Sequence, residues 1–150
     1  MKASPKGKKG PDPENAVMVE ISLYSKDELT SIYELGRKMY SVGHLDPAGD
    51  IFRGLTVVDG GATPAKIGLG LIALEGGGFA DAIGLFRSAL QEGKFTVHAR
   101  LGLSAVFVAQ GEYSRARSLL LQLEQEIAKQ SAADPELARI WETLVLRCGA

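Results

Sequence analysis

After residue 24 the apolar residues fall on the three- and four-residue spacing of helices rather than the alternation of strands, and glycines, prolines and capping residues interrupt them at intervals. Ser25 with Glu28 three residues on is a capping box, which predicts a helix over about 26–42. Asp46 followed by Pro47 predicts a second helix running to about 58; Thr63 with Pro64 begins a third, and Phe79 lies near the start of a fourth. Thr96 is placed to cap a fifth helix ending near 110, and a sixth covers about 113–130. Asp134, Pro135 and Glu136 open a seventh over about 135–148, whose one apolar stripe is Leu137, Ile140, Trp141, Leu144 and Val145. Upstream, VMVEISLY at 17–24 alternates only in part and fits either an extended segment or a short helix.

Written in rows of 34 from Leu29, Thr63 and Val97, the chain aligns with itself without a gap. Leu35, Leu69 and Leu103 share a column, as do Gly36, Gly70 and Ser104, and Gly43, Gly77 and Gly111. The second half of each row repeats Leu45, Phe79 and Tyr113, then Ala48, Ala82 and Ala116, then Phe52, Phe86 and Leu120, then Leu55, Ala89 and Leu123. This period, with small residues where two helices approach and a glycine between them, is the tetratricopeptide signature. The expected fold is all-α: three helical hairpins over about 29–62, 63–96 and 97–130 and a capping helix at 135–148, all within a domain of residues 25–150. The seventh helix, with its single apolar stripe, suits the open end of such a stack.

Each column has a physical reason. The turn glycine supplies a left-handed conformation that a side chain would penalise. The small pairs let antiparallel helices come close, so Gly36 and Gly70 are expected to face Ala48 and Ala82, while the large apolar columns fill the space between helices. The repeat also decides the meaning of GLGLIALEGGG at 68–78. Gly68, Gly70 and Ala73 match the spacing of a dinucleotide-binding turn, but that turn needs a strand before it and a helix start at the glycines. Here Thr63 and Pro64 begin the helix earlier and Gly70 shares a column with Gly36, so it is a packing residue and Gly76–Gly78 form a helix-to-helix turn.

Composition changes the picture little. At 150 residues, 45% hydrophobic and 23% charged, the chain suits one soluble domain. No apolar run approaches the roughly 20 residues of a membrane span and no secretory h-region is present, so a cytoplasmic protein without membrane insertion is expected. Lys2, Lys6, Lys8 and Lys9 are four of the 17 basic residues, leaving 13 against 18 acids in the rest of the chain. Residues 1–24 read as a basic, largely disordered tail, too poor in arginine and aromatics to predict nucleic-acid binding. Catalytic candidates are equally thin. His44 reads as a turn residue, His98 has no second histidine at helical spacing, and Cys148, the sole cysteine, has no partner for a disulfide or zinc site. Neither an enzyme nor a cofactor is expected.

In a stack of this kind the first helix of each repeat lines the inner wall. Its inward columns predict Thr30, Tyr33, Arg37, Tyr40 and Ser41, then Pro64, Ile67, Leu71, Leu74 and Glu75, then His98, Leu101, Ala105, Val108 and Ala109. Apart from Arg37 the wall lacks the cationic clamps that grip acidic peptide termini. A largely apolar wall suits an extended apolar ligand.

The segment IYELGRKMYSVGHLDPAGDIFRGLTVVDGGATPAKIGLGLIALEGGGFADAIGLFRSAL resembles the class II chaperones of type III secretion, which escort hydrophobic translocator proteins. The resemblance rests on Tyr33 and Tyr40 seven apart, the run Ile51, Phe52, Leu55 and Asp59, and Gly68-Leu69-Gly70. It continues through His98-Ala99, Gly111-Glu112 and Ala116 over residues 29 to about 128. It implies a cytoplasmic chaperone holding an extended segment of a secreted hydrophobic partner in its groove, with Tyr33 and Tyr40 as pocket residues joined by Ile67, Leu71 and Leu74; the inward columns add Arg37, His98, Leu101 and Ala105 to the expected contact residues. It also implies a possible homodimer through residues 14–30. Arg37 stands where the family often carries an aromatic, and Thr56 and Ala73 replace frequent cysteines. The alternative is a general tetratricopeptide adaptor in another complex.

Overall fold

The computed structural model describes residues 24–58 and 62–149. The expectations for residues 1–23, the tail and most of the dimerisation segment, lie outside the described residues. Those residues form seven helices and no strand: α1 (Lys26–Ser41), α2 (Leu45–Leu55), α3 (Ala62–Glu75), α4 (Phe79–Gln91), α5 (Thr96–Ala109), α6 (Tyr113–Gln130) and α7 (Pro135–Arg147). α1 packs on α2, α3 on α4 and α5 on α6; each hairpin packs on the next, and α7 closes against α6 and α5. This is the tetratricopeptide stack with a capping helix.

The three hairpin turns share one geometry. Gly43, Gly77 and Gly111 have φ of 87°, 78° and 77°. The N–H after each glycine donates to the carbonyl five residues back, at 2.8 Å in all three: His44 to Met39, Gly78 to Ala73, Glu112 to Phe107. The glycine N–H itself donates to Tyr40, Leu74 or Val108 at 3.0–3.1 Å, completing a Schellman motif that satisfies the last carbonyls of the first helix. The second helices then begin at Leu45, Phe79 and Tyr113, all in one sequence column.

The packing columns hold, with one correction. Ala48, Ala82 and Ala116 are fully buried, but the residues nearest Gly36 and Gly70 are not these alanines. A methyl added to Gly36 would lie 2.7 Å from Phe52 Cε1, and one added to Gly70 would lie 2.7 Å from Phe86 Cε1. The aromatic rings, not the alanines, occupy the space that the missing side chains leave. The following repeat supplies a second glycine to the same ring: Gly68 meets Phe52 at 2.6 Å, and Gly102 approaches Phe86 more closely still. Phe52 (1% exposed) and Phe86 (0%) are therefore each held between two helix backbones from successive hairpins.

Helix starts differ from the sequence reading in three places. α2 begins at Leu45 with His44 in the cap position, so Pro47 falls within the first turn, where its missing N–H has no intrahelical acceptor to lose. α3 begins at Ala62, ahead of Thr63 and Pro64. α5 begins at Thr96 itself, and the cap residue is Phe95 in the left-handed region at φ 53°. The α1 start matches: Ser25 Oγ accepts from Glu28 N at 3.1 Å and Glu28 Oε1 accepts from Ser25 N at 3.0 Å. These hydrogen bonds hold the Glu28 carboxyl below its ordinary value.

At the far end α7 buries Leu137 and Leu144, while Ile140 stays 40% exposed. Trp141 Nε1 donates to the Leu120 carbonyl of α6 at 2.8 Å, and the Arg117 guanidinium donates to the Cys148 carbonyl. Cys148 is buried under this closure. Tyr113, expected to fill interhelical space, is instead 48% exposed.

Gly68→Ala or Gly102→Ala drives a methyl into a fully packed ring, and overpacking of this kind costs about 1–3 kcal/mol. Gly54 and Gly84 lie in helices with nothing within 4 Å of an added methyl. Alanine there is expected to stabilise by roughly 0.5–1 kcal/mol through helix propensity. Urea unfolding midpoints of the four single variants check the opposite signs.

Candidate functional site

The first helices α1, α3 and α5 lie side by side, since α1 contacts α3, α3 contacts α5 and α5 contacts α7. On α1, Tyr33, Arg37 and Tyr40 follow one another at four- and three-residue steps and so share a face. Tyr33 packs its ring on Phe52, centroids 5.8 Å apart at 47°. Burial pushes its hydroxyl pKa up, with the nearby Arg37 charge opposing. Tyr40 reaches across to the end of α3, where its hydroxyl donates to Glu75 Oε1 at 3.1 Å. Burial first, then that hydrogen bond and the carboxylate charge, push the Tyr40 pKa up to about 12. Arg37 between them is exposed, and its contact with Glu34 is 3.5 Å with both side chains more than half in solvent.

Other expected residues divide into two groups. Leu71, Leu74 and Ala105 are half-buried against the larger core cluster and keep part of their surface. Ile67 at 9% exposed and Leu101 at 4% are core residues, because α3 lies between α1 and α5, and α5 between α3 and the capping helix α7. Column position alone cannot separate a wall that faces solvent from one that neighbouring helices close. His98 stands apart near the start of α5, with Nε2 3.7 Å from Asp134 Oδ2 and the Phe95 ring edge-on at 5.8 Å. An open pocket of about 340 Å³ lies there, lined by Phe95, Thr96, Val97, His98, Glu126 and Gln130. Phe95 was not singled out in the sequence, because nothing in the pattern marks a phenylalanine for positive φ.

Glu75, in contrast, sits in an inward column adjacent to that of Tyr40 in the next repeat, so its pairing was available to a column-by-column reading. Among the described residues no group of three or more His, Cys, Asp or Glu is placed to hold a metal ion. None of their helices is long and apolar enough to cross a membrane.

Fold and surface together define a tetratricopeptide-like stack of helical hairpins whose adjacent first helices carry half-buried apolar and aromatic residues. Among solved structures the chain is similar to PcrH from Pseudomonas aeruginosa, with a TM-score of 0.68 and 22% sequence identity over 85% of this chain and 96% of that one. No protein-family model matches the chain, and no curated protein matches it.

The raised Tyr40 pKa has a direction for stability. The folded state holds the phenolic proton more tightly than the unfolded chain, so this contribution is complete below about pH 10 and is lost as pH rises from there through about 12. Tyr40→Phe should flatten part of the alkaline loss, and Glu75→Gln should lower the Tyr40 pKa only partway, because burial is the larger cause. Unfolding midpoints between pH 9 and 12, with absorbance titration of the tyrosines, measure both.

Proposed function

We propose that this chain is a cytoplasmic chaperone that holds an extended apolar segment of a secreted partner, a type III secretion translocator in chemical character, against the inner wall of its repeats. The observation that carries the reading is the row of half-buried Tyr33, Tyr40, Leu71, Leu74 and Ala105 along successive first helices. Apolar and aromatic surface of this kind is what an extended hydrophobic segment needs if it is to leave water without aggregating. Support also comes from the fold shared with PcrH and from the sequence resemblance to the class II chaperones of type III secretion. The wall has no constellation for covalent or acid–base chemistry, so the role is binding rather than catalysis. Ile67 and Leu101 enter the proposal as the support behind the wall, and His98 as its edge; homodimerisation through residues 14–30 is part of the same reading.

Co-expression with candidate membrane-inserting secretion substrates tests it. Tyr33→Ala combined with Tyr40→Ala is expected to reduce co-purification at least about tenfold, the effect of losing roughly 1.4 kcal/mol of contact. Tyr33→Phe with Tyr40→Phe keeps the rings and should retain most of the capture. Unchanged capture by the alanine pair, with an unchanged circular-dichroism melt, would exclude the wall as the binding surface.

A further inference from the structure

Arg37 is the one full cation among the inward columns, and Glu75 the one carboxylate. Their situations differ. The Glu75 carboxylate already accepts from Tyr40 Oη at 3.1 Å, so a cationic ligand group arriving there would compete with a hydrogen bond in place. Arg37 has only the 3.5 Å contact to Glu34, one helical turn back and largely in solvent. Exposed pairs of that kind are worth little and exchange readily with a better acceptor. A guanidinium presents a planar fork of donors that matches a carboxylate in two parallel hydrogen bonds. It stands, moreover, between two half-buried tyrosines on the same face, where an apolar segment bound to them would exclude water from one side of the ion pair.

We infer that Arg37 is a specificity residue that selects an extended apolar segment carrying one Asp or Glu close to the side chains that seat on Tyr33 and Tyr40. This rests on the proposed binding wall and adds the charge its ligand carries. The segment is apolar at alternate positions with a single carboxylate among them, and a lysine or arginine at that position is rejected by like charge.

Fluorescence anisotropy with labelled peptides of about ten residues, leucine alternating with serine, tests the inference. Glu, Gln or Lys is walked through the serine positions. At one position the Glu peptide is expected to bind about fivefold more tightly than the Gln peptide, with Lys weakest, and the ratio should shrink in about 0.5 M salt. Arg37→Gln should bring the Glu-to-Gln ratio to one, the Glu peptide losing its roughly fivefold advantage. Arg37→Glu should turn the preference toward Lys. A Glu preference that survives Arg37→Gln, or no preference at any position while peptides bind, overturns the inference alone. Absence of binding by every peptide overturns the binding wall and the inference together.

Discussion

The structure depends on two phenylalanine rings, each clasped between the backbones of two helices. Phe52 meets Gly36 of its own hairpin and Gly68 of the next; Phe86 meets Gly70 and Gly102 in the same way. A glycine inside a helix costs about 1 kcal/mol against alanine, and fully burying a phenylalanine returns roughly 1.5–3 kcal/mol. The exchange favours the stack only when both backbones are in place around the ring. Gly68 and Gly70, two residues apart, lie about 200° apart around α3, so this one helix offers a bare face to the ring on each side.

That arrangement makes α3 the junction of the molecule. Ala65, Leu69 and Ile72 belong with Phe52 and the first cluster, while Ile67, Leu71 and Leu74 belong with Phe86 and the second. Close approach of α1 to α3 is also what lets the Tyr40 hydroxyl span from one hairpin to Glu75 in the next. The polar crossing is therefore a product of the same glycine columns. In a stack whose units touch only their neighbours, α3 is intrinsically weak and is held by the hairpins on both sides of it.

Much of this was legible in the sequence for a particular reason. The turn glycines, the buried alanines and the capping box at Ser25 are local requirements, and local requirements repeat wherever the unit repeats. What the glycines touch was harder to see, because Gly36 could be paired with an alanine or an aromatic on column logic alone. Gly68 and Gly102 form a column of their own, 34 apart, but the first repeat carries an exposed Glu34 there, so the column does not read as glycine in all three rows. The burial of Ile67 and Leu101 was not visible for the complementary reason: it is set by flanking helices, which a single row of the repeat does not contain. Phe95, with its left-handed backbone at the α5 start, follows from no propensity of its own.

The identical turns at Gly43, Gly77 and Gly111 bear on how such a chain can diverge. One residue inserted within any helix of a hairpin would rotate everything after it by about 100°, carrying the next bare backbone away from its ring. Substitution on the surface meets no such penalty. Evolution is thus free to rewrite the letters but not the metre, and a likeness of only 22% identity can coexist with matched architecture along 96% of another chain.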